Sequence, residues 1–214
     1  MLTNRELSKF LKSKHPNLSF IDNLKVIYRP FVCPFNDFIE LAKTKKSVFD
    51  IGCGSGQLLI ILNEFAKIEN FGGVEIDEKL IQNAKSLLGD RDCSFLKSYN
   101  GKEMPIFLKE FDLIILNDVL HHIPKKKQRD FLTEIYGKMN TNSLFVLKDI
   151  DAASIWVFFN RFHDFIFGSK GGNEVRLNHM KNMVVEIGFK IQKVYKKRTF
   201  WYDHYFLILE KTSK

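Results

Sequence analysis

The run Val48-Phe49-Asp50-Ile51-Gly52-Cys53-Gly54-Ser55-Gly56 constrains the fold more than any other part of the chain. An apolar strand ends in an acid, and three alternate glycines lead into the apolar stretch Leu58 to Leu62. A strand that turns at once into a helix needs backbone angles that a Cβ disfavours, and glycine supplies them. The pattern downstream alternates. Helices are predicted from Gln57 to Lys67, from Glu78 to Leu88 with Asp77 as its cap, and from Lys125 to Met139. Strands are predicted at Phe71 to Glu75, Ser94 to Lys97, Leu113 to Asn117 and Leu144 to Asp149. A last helix, Asn178 to Ile187, stops at Gly188 and is followed by strands Phe189 to Tyr195 and Tyr205 to Leu209. Strand and helical crossover in alternation make a parallel sheet covered on both faces. The connection from Thr199 to His204 is too short for a crossover, so the last strand is expected to run antiparallel.

The glycine turn also narrows the ligand. A dinucleotide site has G-x-G-x-x-G and seats a pyrophosphate on the helix N-terminus, but here Gly56 comes one residue early and Gln57 stands where the third glycine belongs. Asp50 would repel a pyrophosphate. S-adenosyl-L-methionine (SAM) carries no phosphate and offers an ammonium, a sulfonium and a ribose, which suit a carboxylate. Nineteen residues after Gly56, Glu75 ends the second strand, near the interval at which an acid meets ribose hydroxyls in doubly wound sites.

Asp50-x-Gly52-x-Gly54-x-Gly56, Phe71-Gly72-Gly73-Val74-Glu75-Ile76-Asp77, and Asp118-Val119-Leu120-His121-His122 after the fourth strand together resemble class I SAM-dependent methyltransferases, in a form similar to bacterial small-molecule and lipid-like methyltransferases. The resemblance covers roughly residues 28–150, the expected cofactor-binding core. It implies a three-layer α/β/α sandwich, a Rossmann-like, mostly parallel seven-stranded sheet with an antiparallel last strand. It also implies SAM as cofactor, with S-adenosyl-L-homocysteine (SAH) as product. Gly52, Gly54 and Gly56 would approach the methionine half, Asp50 its ammonium, Glu75 the ribose, Ile76 the adenine face, and the main chain of Asn117 the methionine amine. Arg29, in Tyr28-Arg29-Pro30-Phe31, would pair with the methionine carboxylate; the alternative is an arginine on a solvated helix. The sequence departs from the family after the third strand, where an acid for the adenine amine is replaced by Lys97-Ser98-Tyr99-Asn100. Ser98, Tyr99 or Asn100 would have to supply that acceptor.

Methyl transfer depends chiefly on alignment, and a hydroxyl acceptor needs a base. His121 and His122 are candidates; alternatively one packs structurally and the other shapes the pocket. The segment 151–175 is expected to be a substrate lid, in which Trp156, Asn160 and His163 share a helical face and His163 with Asp164 form a second candidate pair for catalysis. A surface amphipathic helix is the alternative. No spacing motif supports a metal site, although Asp149, Asp151, His163 and Asp164 have the right ligand types.

The length suits one domain spanning 1–214. Its 21 phenylalanines either line an apolar pocket or replace leucine in the core. The N-terminus lacks the apolar block of a secretion signal, and no apolar run approaches a membrane span, so a cytoplasmic protein is expected. Cys33, Cys53 and Cys93 suggest neither a disulfide framework nor a zinc site. The net charge of +8 is diffuse, with clusters at Lys45-Lys46, Lys125-Lys126-Lys127 and Lys196-Lys197-Arg198. Solvated surface, an acidic partner such as an anionic lipid or carrier protein, and nucleic acid are the readings, in descending order. The function expected is methylation of a small, largely apolar acceptor at oxygen, the acceptor free or carrier-bound. RNA or protein methylation, or a silent SAM-binding partner subunit, is the alternative. The absence of an N/D-P-P-Y/F loop after strand four argues against base amino methylation.

Overall fold

The computed structural model describes residues 1–14, 20–89, 91–154, 172–200 and 202–212. Three helices, α1 (Asn4–Lys14), α2 (Phe20–Val32) and α3 (Phe35–Ala42), precede β1 (Ser47–Ile51). The chain continues through α4 (Gln57–Ala66), β2 (Asn70–Glu75), α5 (Glu78–Leu88), β3 (Leu96–Ser98), β4 (Leu113–Asn117), α6 (Lys125–Lys138), β5 (Leu144–Ile150), α7 (Leu177–Ile187), β6 (Phe189–Thr199) and β7 (Tyr202–Lys211). The strands form one seven-stranded sheet in the order β3-β2-β1-β4-β5-β7-β6. The first five are mutually parallel, and β7 runs antiparallel to both β5 and β6. The strand order reverses between β1 and β4, the switch point beyond whose carboxyl ends such sheets bind their ligands.

Alternation along the strands feeds two cores. Val48, Leu113, Ile115 and Val146 face α1 to α5, while Phe49, Ile114, Leu116 and Phe145 face α6 and α7. Phe49, Phe95, Phe107 and Phe111 form a ring cluster with centroids 5.1–6.0 Å apart. Phe49 and Phe111 belong to the core, as do Phe35, Phe38, Phe145 and Phe206, with Phe95 and Phe107 partly buried against it. Gly72 makes room for that cluster, since a Cβ there would lie 2.7 Å from Phe111 and 2.9 Å from Phe49 and Phe95.

Element boundaries follow the sequence pattern closely, with three differences, one being that β7 runs from Tyr202 to Lys211 rather than from Tyr205 to Leu209, its ends added by pairing with β6. The third strand begins at Leu96 rather than Ser94, because only three residues of this edge find partners on β2. The sixth extends to Thr199 rather than Tyr195, held by its pairing with β7 through a lysine-rich stretch that has no apolar signal. Its lysines face solvent on an outer strand, a placement that discourages edge-to-edge association. Among the described residues no helix is long and apolar enough to cross a membrane.

Candidate active site

The turn after β1 has the strained geometry its glycines permit, with φ of 78°, 53° and 78° at Gly52, Gly54 and Gly56. A Cβ on Gly52 would stand 2.4 Å from Val119 Cγ2, so this glycine lets the loop after β4 close against the turn. A Cβ on Gly54 would meet nothing within 4 Å, which leaves its backbone open to a ligand. Glu75 curls over the turn. Its carboxylate accepts from the Gly54 amide at 3.0 Å and from those of Ile76 and Asp77 at 2.7 and 3.2 Å. Next to it Ile76 is 71% exposed, an apolar surface placed for a flat ring.

Asp50 is only 3% exposed, and its carboxylate makes no hydrogen bond to a described residue. Burial pushes its pKa up to about 8, against the pull of Arg29 and with help from Glu75. A buried acid without a protein donor is costly unless a ligand supplies one. Arg29, on α2, is close enough to act electrostatically on Asp50, Cys33 and Asp118, although its own side chain is exposed. Asn117 is buried at the end of β4, its amide nitrogen 3.6 Å from the Cys33 sulfur. Tyr99 ties the end of β3 to Glu75 through its amide, 2.8 Å from the Glu75 carbonyl, while its ring packs into the core on the α6 side. Ser98 and Asn100 are exposed, and the Asn100 side chain accepts from the Lys102 amide at 2.9 Å.

The structure separates the two adjacent histidines. His121 is buried, with Nδ1 2.5 Å from Asp149 Oδ1 and its amide donating to Asp149 Oδ2 at 3.0 Å. His122 is exposed, its ring centroid 4.0 Å from that of His121. Gln128, fully buried on α6, reaches the carbonyls of Leu120, Ile123 and Asn173 with its amide nitrogen and so fixes the histidine turn. Asp151 points elsewhere, 2.6 Å from Lys196 Nζ and accepting from the Ala153 and Leu177 amides. Residues 155–171 of the expected lid, with its candidates Trp156, Asn160, His163 and Asp164, lie outside the described residues.

Several residues were not singled out by sequence. Asp118 follows β4 in the left-handed region, φ 57°, with Oδ2 2.5 Å from Nζ of fully buried Lys148. Burial pushes the Asp118 carboxyl up, yet Lys148, His204, Arg29 and His121 together hold it well below the usual carboxylate range. Asp118, His121 and Asp149 have the ligand types and proximity of a metal site. The lysine on Asp118 and the direct His121–Asp149 bond already occupy their groups. The signal available in the sequence was Lys148 itself, a charge inside a central strand.

An open α/β sheet with a glycine turn and two acids at its strand ends has the architecture of the doubly wound, nucleotide-binding class. The chain belongs to the methyltransferase-domain family, whose profile, described as "Methyltransferase domain", matches residues 42–194. Its seven-stranded sheet with an antiparallel last strand is the fold of the class I, SAM-dependent methyltransferases. Among curated proteins it is similar to a carboxy-S-adenosyl-L-methionine synthase of Campylobacter fetus, 24% identical over 68% of this chain and 64% of that protein. It is also similar to one of Campylobacter hominis, 28% identical over 50% of this chain and 45% of that protein. The match thus spans less than two thirds of these relatives' length. Similar folds include magnesium protoporphyrin IX methyltransferase from Synechocystis with bound SAH, with TM-score 0.69, 14% identity and coverage of 98% and 96% of the two chains. A SAM-dependent methyltransferase from Archaeoglobus fulgidus has TM-score 0.62 and 18% identity over 83% and 91%.

The residues fit SAM. The buried, donor-less Asp50 suits an ammonium, open Gly54 a close approach, and Glu75 with Ile76 a ribose and a ring. A pH dependence follows. An ammonium held by Asp50 would favour its ionised form, so that SAH affinity would rise from pH 6 towards pH 8, by up to about tenfold per unit, with proton release on binding. Without ligand the sign is opposite. An acid raised from 3.8 to about 8 keeps a proton in the folded state that the unfolded chain releases, so its contribution to stability is lost as pH rises through that window. Calorimetry in buffers of different ionisation enthalpy checks the first statement; a flat profile would place the ammonium away from Asp50.

Proposed function

We propose that the enzyme methylates a small, largely apolar acceptor at a hydroxyl oxygen, with His121 as general base. The buried His121–Asp149 pair beyond β4 and β5 carries this reading. SAM supplies an electrophilic methyl group. Asp149 accepts the Nδ1 proton, which fixes the tautomer and leaves Nε2 as the nitrogen that takes a proton. With the methyl group that SAM would supply, the acceptor hydroxyl would give its proton to His121 Nε2 as it takes the methyl from sulfur. Asp149 stabilises the imidazolium so formed. Arg29 and Asp50 hold the amino-acid end of the cofactor, and Glu75 holds the ribose.

The basic clusters support a small acceptor over a nucleic acid. Lys196, Lys197 and Arg198 are ion-paired with Asp151, Asp37 and Asp203, and Arg129 with Glu186. Lys125, Lys126 and Lys127 are different: exposed in the first turn of α6, they oppose its dipole. Their position next to the histidine turn suits an acidic carrier delivering the acceptor.

The test is a screen of phenols and aliphatic alcohols with methyl-labelled SAM, followed by His121→Gln on the acceptor found. Turnover should fall by about 10²–10⁴-fold while SAH affinity changes little. Methyl transfer that is indifferent to His121 would overturn the base assignment. Similarity to carboxy-S-adenosyl-L-methionine synthases favours a second reading, in which SAM itself is the molecule modified. Mass spectrometry of the nucleoside product separates the two.

A further inference from the structure

His204 lies on β7 opposite Ile150 of β5 and is 1% exposed. Its Nε2 is 3.0 Å from the carbonyl of Val32, the last residue of α2, and 2.8 Å from Thr199 Oγ1. Thr199 Oγ1 donates to the same carbonyl at 2.9 Å. A helix's last carbonyls have no partner within the helix, and a carbonyl can only accept. Nε2 therefore carries the proton, and Nδ1 presents a lone pair.

That lone pair points at another acceptor. Nδ1 of His204 is 4.0 Å from Asp118 Oδ1, and neither atom has a hydrogen-bond partner. The separation discriminates between possible bridges. A water about 2.8 Å from each atom would see them at roughly 90°, near its own donor angle. A metal ion about 2.1 Å from each would need them at roughly 145°, far from a tetrahedral angle. The Lys148 ammonium, 2.5 Å from Asp118 Oδ2, also repels a second cation.

We propose that His204 is a positioning residue for the cofactor site, binding one buried water together with Asp118 and so tying the C-terminal turn of α2 to the loop after β4. The inference rests on the reading that SAM lies at this end of the sheet. Its consequence runs through Arg29, which sits one turn before Val32 and acts on both Asp50 and Asp118. Outer contacts hold α2 and α3 to the far end of the sheet: Phe200, in the turn between β6 and β7, meets Tyr28 and Phe31 with centroids 6.0 and 6.5 Å apart, and Lys197 of β6 pairs with Asp37 of α3. His204 is the inner tie, next to the charged groups.

The experiment compares SAH binding by calorimetry in wild type, His204→Phe, His204→Asn and His204→Gln, with urea unfolding of each. Glutamine keeps a donor at the Nε2 position and should bind within about threefold of wild type. Phenylalanine and asparagine lose the bond to Val32 and should bind about tenfold more weakly, the loss expected for one buried hydrogen bond. If the phenylalanine variant does not fold, the asparagine–glutamine contrast decides. Equal binding by all variants overturns the tie. A crystal structure should show water density between Asp118 and His204, and an anomalous signal there after manganese or zinc soaking would overturn the water. Wild-type protein that binds no SAH would instead sink the cofactor reading and this inference with it.

Discussion

Lys148→Met is expected to destabilise the protein by about 3–5 kcal/mol, the cost of leaving one partner of a buried ion pair without the other. Lys148 is fully buried on β5, paired in register with Asn117 of β4, and its ammonium meets Asp118. Asp118 sits in a left-handed conformation that non-glycine residues adopt at a cost. Without Lys148 its carboxylate stays buried, with only histidines and a more distant arginine to offset it. The effect should depend on pH. In wild type the depressed pKa of Asp118 contributes stability above its unfolded value of 3.8 that is lost as pH falls through the folded value. In the variant that contribution is gone, so the difference between the two proteins is largest near neutrality and shrinks in acid. Urea unfolding of wild type, Lys148→Met and the double variant Lys148→Met/Asp118→Asn checks this. The double variant should recover most of the loss. A single variant within about 1 kcal/mol of wild type would mean that Asp118 reaches solvent when unpaired.

Glu75→Ala is expected to weaken SAH binding by roughly 10²–10⁴-fold. Two hydrogen bonds from ribose hydroxyls to a carboxylate, at about 1.5–3 kcal/mol each, account for that range. The same carboxylate holds the Gly54, Ile76 and Asp77 amides, so its loss also loosens the turn that faces the methionine end. Calorimetry of wild type and variant, with NADH as the control ligand, measures the effect, and thermal unfolding separates lost binding from lost structure. A variant that binds SAH as wild type does would remove Glu75 from the ribose.

The glycine turn and the sheet around it were legible in the sequence because their signals are local. The glycines at 52, 54 and 56 answer backbone angles within their own turn, and each takes a positive φ. Asp77 caps α5 by accepting from the Lys79 amide two residues away. The alternation of β1 to β5 with helices, and the short turn into an antiparallel β7, follow from period and connection length. The charged interior was not legible. His121 and His122 are adjacent and chemically alike, and only the position of Asp149, 28 residues on, distinguishes them. His204 reads as the end of a connection, yet it bonds a carbonyl 172 residues earlier. Lys148 looked like part of a strand, and its partner lies 30 residues before it.

The sequence alone therefore determined the fold class, the glycine turn and the order of the elements, since backbone conformation, capping and apolar period depend on near neighbours. Only the tertiary structure decided which acid pairs with which base, because burial and pairing of charges depend on distances that packing of the whole sheet creates.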